Sequence, residues 1–217
     1  MFVGHYAASL VLKRVEKKAS LGLLFLAVQL VDLVFFPLVL LGIERLNIVE
    51  NFTQSTHIEL EYMPYTHSLL ASFLWAGFIY GIYRLIPPRN KSVALVMGIA
   101  VLSHWFLDLI VHTPDLPLWS DASTKLGFGL WNNAVATYAL EAALLGLGLW
   151  IYLRSTTAST AIGKFGMAFF VVIMLLVNAV NVFGPLLDDS KVGLAISALL
   201  MYLLFAAAAH WLDRKRS

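Results

Sequence analysis

The sequence predicts an all-α protein, a polytopic membrane bundle of six transmembrane helices plus a short N-terminal amphipathic or re-entrant helix. Three observations predict it. Of the 217 residues, 60% are hydrophobic and only 13% charged, too few polar side chains to cover a water-facing globule of this size. The apolar residues fall in runs near the length of about 20 residues that crosses about 30 Å of hydrocarbon as a helix. The runs are continuous, whereas a membrane β-barrel alternates apolar and polar residues. A soluble enzyme is therefore not expected. The sequence has no cysteine, so it offers neither a disulfide framework nor a thiolate ligand or nucleophile. A net charge of +2 is too small to suggest a nucleic-acid partner; the expected partner is the lipid bilayer.

In chain order, the spans are expected at 21–43, 66–86, 92–112, 130–153, 165–183 and 192–212, in a single integral-membrane domain covering 1–217. Before them, MFVGHYAASLVL is too short to cross and is followed by the charges of KRVEKK, the reverse of a signal peptide's order. It is expected to lie at the interface or to re-enter and carry His5 toward the bundle centre. Pro37 suggests a kink in the first span, and Gly77 and Gly81 form a G-x-x-x-G of the kind that brings helices close. Pro64 marks the outer start of the second span. The segments KRVEKK, RLIPPRNK, 154–164 and DRKRS are basic. The alternate loops carry Glu44, Glu50, Glu59 and Glu61, then Asp115 and Asp121, then Asp188 and Asp189. By the positive-inside rule both termini are cytoplasmic.

Polar groups at membrane depth carry the functional signal. A charged side chain in mid-span costs about 2.5–3.5 kcal/mol, so each needs a partner or a purpose. The spans hold Gln29 and Asp32, then Ser103, His104, Asp108 and His112, then Glu141, then Asn178 and Asn181. Counting from the cytoplasmic ends at about 1.5 Å per residue, Asp32 and His104 both lie roughly 18 Å deep. His104, Asp108 and His112 are each one turn apart, which aligns three candidate ligands on one helix stripe. His104 and Asp108 are the preferred pair, because the outer two histidines are about 12 Å apart along a regular helix. His67, in Pro64-Tyr-Thr-His-Ser68, sits at a helix start that keeps imidazole neutral and able to ligate. Asp115 could cap or approach this site. Glu141 reads either as a proton acceptor or as a hydrogen-bonded partner of a facing group. His57 and His210 read as interfacial residues.

The motifs GHYAASL, QLVDLVFFP, SHWFLDLIVHTPDLPL and GFGLWNN, with Thr66-His67-Ser68 between them, resemble those of bacterial and archaeal inner-membrane proteins described as predicted metal-dependent hydrolases. The resemblance covers about residues 1–145. It implies a prokaryotic inner-membrane location and a metal site using His5, Asp32, His67, His104 and Asp108. Many relatives carry a second aspartate where this chain has Val34, and a further histidine where it has Glu61-Tyr62-Met63. A single divalent ion, Zn²⁺ in first place, is accordingly the expectation. Such an ion lowers the pKa of bound water to about 7. His112 or Glu141 would then move protons in hydrolysis of a lipid-like ester, amide or phosphoester. A proton-coupled transporter and a non-catalytic membrane assembly factor are the rival classes, since midplane carboxylates and histidines also build proton relays and polar residues also glue helices.

Overall fold

Apolar chain segments that cannot rely on water must close their backbone hydrogen bonds internally, and here they do so as helices. A computed structural model describes residues 1–186 and 189–217. Its long elements are α1 (His5–Val15), α2 (Leu21–Val28), α3 (Leu30–Leu40), α4 (Leu69–Leu85), α5 (Lys91–Val111), α6 (Ala134–Ser155), α7 (Ala161–Phe183) and α8 (Lys191–Asp213). The helices α5 to α8 are long and apolar enough to cross a membrane, and the bent pair α2–α3 makes a fifth candidate span. Six crossings would require α4 as well, an apolar helix of 17 residues. Large apolar side chains such as Phe169, Leu176, Leu200 and Leu204 point outward from α7 and α8, as lipid-facing surfaces do. Asp188 of the last acidic loop lies outside the described residues.

The helix starts follow local chemistry. Ser20, Ser68, Asn90, Asn133 and Thr160 each accept a hydrogen bond from a backbone N–H in the first turn of α2, α4, α5, α6 and α7, respectively. These caps satisfy donors that a helix start leaves open.

The first expected span is not one helix kinked at Pro37. It breaks at Gln29, where φ is −104° and ψ 8°, and α2 and α3 meet there at 50°. Pro37 lies inside α3, where the ring deprives the ladder of only the bond to Leu33. The G-x-x-x-G reading is also corrected: methyl groups at Gly77 and Gly81 would meet nothing within 4 Å. The close approach of α4 to α5 runs instead through Ala76, whose carbonyl oxygen would lie 3.1 Å from a methyl placed on Gly98.

Two small antiparallel pairs, absent from the helical expectation, cover one end. Strands β1 (Arg45–Ile48) and β2 (Ile58–Tyr62) pair Leu46 with Leu60 and Ile48 with Ile58, and β3 (Leu116–Pro117) pairs with β4 (Lys125–Leu126). The alternation in Ile58-Glu-Leu-Glu-Tyr62 explains β2, and Asn51 takes a positive φ of 56° between β1 and β2. The next segment is held tightly: Phe128 and Gly129 donate their N–H groups to the carbonyls of Leu109 and His112 at the end of α5. A side chain at Gly127 would collide with the Thr113 and His112 carbonyl oxygens.

Helix α1 turns inward. His5, Tyr6, Ser9 and Leu10 are buried, while the last turn carries Lys13 and Arg14. Lys13 pairs with Asp213 at 2.8 Å, which gathers the C-terminal ends of α1 and α8. At the opposite end, Glu141 Oε2 accepts from the N–H groups of Phe2 (3.1 Å) and Gly4 (2.9 Å). Between these ties Gly148 permits close contact, because its added methyl would lie 3.0 Å from the Ala7 Cα and carbonyl oxygen. Gly148→Val is therefore expected to destabilise the protein by about 1–3 kcal/mol through overpacking. A thermal melt matching wild type would refute this seat.

Two apolar clusters meet where the polar residues lie. One contains Tyr6, Phe25, Val31, Val101 and Leu145, and the other Phe35, Phe36, Leu46, Trp105 and Leu116. Along α3 and α5 the change from one to the other falls at Asp32 and His104.

Candidate metal centre

The break in the first span shapes the site in two ways. It places Asp32 in the first turn of α3, where open N–H groups favour a carboxylate. It also ends α2 at Val28, whose carbonyl oxygen accepts a hydrogen bond from His104 Nδ1 at 2.7 Å. A carbonyl can only accept, so the Nδ1 proton is committed there. In a neutral ring, His104 Nε2 therefore presents a lone pair. That nitrogen lies 2.9 Å from Asp108 Oδ2 and 3.7 Å from Asp32 Oδ1, yet it makes no hydrogen bond to either.

Around this atom the other expected ligands converge. His5 comes from the inward end of α1 and stacks on His104 with ring centroids 3.9 Å apart. Its Nε2 is 3.1 Å from Asp108 Oδ1, and its Nδ1 is buried without a hydrogen-bond partner. His67, just before α4, places Nε2 3.2 Å from Asp32 Oδ1, and Tyr202 of α8 donates its hydroxyl to Asp32 Oδ2 at 3.1 Å. The Met1 nitrogen lies 2.6 Å from Asp108 Oδ1. His5, His104 and Asp108 form one group with donor atoms within 4.8 Å of one another, and Asp32, His67 and His104 a second. His104 belongs to both, and these buried groups could hold a metal ion.

The two residues expected to handle protons lie beside this cluster. His112 ends α5, with Nε2 3.6 Å from Asp108 Oδ2 and Nδ1 2.8 Å from Asp115 Oδ1. Asp115 is braced by the Thr113 hydroxyl at 2.9 Å, and the His112 ring lies over Trp131 at 4.1 Å. Glu141 is buried, with Oε2 occupied by the two amides at the start of α1. A cavity of about 580 Å³ reaches Asp32, His67, Asp108, His112 and Glu141. Its other walls mix apolar side chains, such as Phe35 and Phe36 from α3, Val177 and Val180 from α7 and Leu194 and Met201 from α8, with the polar His57, Asn181 and Ser197. Neither His57 nor His210 joins the donor groups: His57 lines the same cavity and accepts from the Asn51 N–H, and His210 contacts Ser20.

One buried acid escaped the sequence reading. Glu44, counted among the acidic loop charges, is fully buried and accepts from the Tyr65 and Thr66 N–H groups and the Thr66 hydroxyl. Its only sequence signal is position, directly before β1 and a fixed distance from nothing else of note. No protein-family model matches the chain, and neither a curated protein nor a solved structure is significantly similar to it.

Proposed function

We propose that this chain is a membrane-embedded metal-dependent hydrolase of lipid-like esters, amides or phosphoesters. The observation that carries the reading is the convergence on His104: its Nδ1 proton is committed to Val28, and its Nε2, 2.9 Å from Asp108 and 3.7 Å from Asp32, belongs to both groups of donors. Two carboxylates this close call for positive charge among the groups, and a divalent ion held by the five donors would supply it alongside the Met1 nitrogen at Asp108. His5, Asp32, His67, His104 and Asp108 would hold the ion, and a mixed imidazole and carboxylate set suits Zn²⁺. When bound, a divalent ion supplies Lewis-acid polarisation and a lowered water pKa.

The protein's own groups supply the rest. An ionised Asp115 only accepts, so neutral His112 carries its proton on Nδ1 and turns a basic Nε2 toward the cluster and the cavity. His112 is the proton carrier, oriented by Asp115 and seated against Trp131. Glu141 also positions: it fastens the first turn of α1 and with it His5. The mainly apolar walls from α7 and α8, interrupted by Asn181 and Ser197, accept a hydrocarbon tail, while the end at the ligand cluster receives the scissile group.

The six-crossing arrangement in a prokaryotic inner membrane, both termini cytoplasmic, accords with the basic residues collected where α1, α6 and α8 end. Lys13 meets Asp213 there, and Arg216 binds the Thr156 hydroxyl. Substrate then enters from the outer half.

Metal analysis of the purified protein tests the reading. It should retain a divalent ion through purification and rebind it after chelation. Folded protein that binds none ends the proposal, and proton-coupled uptake by such protein in liposomes would replace it with transport. For the proton carrier, His112→Asn is expected to keep the metal and lower turnover of a fluorogenic lipid ester by about 10²–10⁴-fold. Unchanged turnover would remove His112 from the chemistry.

A further inference from the structure

We infer that Glu44 is a positioning residue of the metal centre, acting through Thr66 to hold the His67 proton on Nδ1 and so aim the Nε2 lone pair into the ligand cluster. On the metal reading of the site, this adds an outer partner that the donor set itself does not contain.

The geometry admits one direction of hydrogen bonding. Glu44 leaves α3 through Gly42, whose φ is 71°, and precedes β1 with no exposed surface. A carboxylate in such a place persists only if its oxygens are well supplied with donors. Oε1 accepts from the Tyr65 N–H at 2.8 Å and the Thr66 N–H at 3.1 Å, and Oε2 from the Thr66 hydroxyl at 2.6 Å. A hydroxyl has one proton, and Thr66 gives it to Glu44. Its remaining capacity is to accept. The 2.8 Å contact between Thr66 Oγ1 and His67 Nδ1 must therefore be an Nδ1–H donating to oxygen.

The consequence reaches the cluster in one step. With Nδ1 protonated, neutral His67 has its lone pair on Nε2, the atom 3.2 Å from Asp32 Oδ1, a contact that is a hydrogen bond only when the ring carries a second proton and that a bound cation would bridge instead. The Phe35 ring meets His67 edge to face at 5.0 Å and limits its rotation. His104 reaches the same tautomer through the Val28 carbonyl, so two histidines from different elements are fixed alike by unrelated acceptors. A ligating histidine whose other nitrogen is so held is better oriented and more basic. A mere helix cap would not need the chain of three groups. Ser68, the residue that does cap α4, makes its own bond to the Ala71 N–H.

Glu44→Gln separates the possibilities, because the amide can present N–H₂ to Thr66 Oγ1. The hydroxyl would then donate to His67 Nδ1 and drive the proton to Nε2. Full-length protein in detergent is titrated with Zn²⁺ against a chelator, and ¹⁵N-histidine spectra locate the His67 proton. Wild type should carry it on Nδ1 with or without metal. Glu44→Gln and Thr66→Val should each weaken Zn²⁺ binding by about 10–100-fold, while Thr66→Ser stays near wild type. The double variant should lose no more than the weaker-binding single variant, since both act through one chain. Wild-type affinity in folded Glu44→Gln and Thr66→Val, or a wild-type proton on Nε2, overturns the inference. Wild-type protein that binds no Zn²⁺ defeats the hydrolase reading instead, and the proton position in wild type and Glu44→Gln still decides the role of Glu44.

Discussion

His104→Ala is expected to lose the metal altogether. It is the one side chain shared by both groups of converging donors. Without it, what remains is His5 with Asp108 and Asp32 with His67, two half-sites too small for the three or four protein ligands that zinc-like sites use. Affinity should fall by at least about 100-fold, beyond the 10–100-fold range of an outer hydrogen-bonding partner. Hydrolytic turnover should vanish with it. The metal-to-protein ratio of the purified variant, with chelator competition, checks this directly. Full occupancy in this variant would show that His104 is structural and remove the central support for a metal site.

The second large effect is on stability. Asp108→Ala removes the carboxylate that His5 and His104 approach at 3.1 and 2.9 Å, with His112 at 3.6 Å. The buried Met1 ammonium also lies 2.6 Å from this carboxylate, and deleting one partner of a buried ion pair costs about 3–5 kcal/mol because the other is left uncompensated. At about 2–4 °C per kcal/mol for a chain of this size, the unfolding midpoint should drop by roughly 10 °C in metal-free buffer. Asp108→Asn retains the volume and one acceptor oxygen, so it should lose metal with a smaller drop. Equal melting of wild type and Asp108→Ala in detergent would mean that this carboxylate holds nothing together.

Much of the site is legible because helical periodicity is local. The one-turn spacing of His104, Asp108 and His112 fixes a shared stripe whatever surrounds it, and the structure has both histidines within reach of Asp108. Depth counting likewise brings Asp32 level with His104. The rest depends on contacts distant in sequence. His5 reaches the centre only because α1 packs inward against Gly148 and is tied by Glu141, residues more than a hundred positions away. The break at Gln29 cannot be read from hydropathy, since both halves are apolar and the proline that suggests a kink stands eight residues later. Glu44 looked like any loop acid, because its burial is decided by three donors on the far side of a hairpin. That hairpin did leave a trace in the alternation of Ile58 to Tyr62, which the count of acidic loop residues obscured.

The tie between Glu141 and the start of α1 has a bearing on biogenesis. A ribosome delivers His5 first and Glu141 long after His104 and Asp108 have entered the bilayer. Until the helix bearing Glu141 is threaded in, the leading turn has its contacts to Asp108 and His104 but lacks the amide tie to Glu141 and the groove at Gly148. On the metal reading, the site would therefore be completed late, because the helix that seats the first turn of α1, and with it His5, is synthesised after four of the five donors.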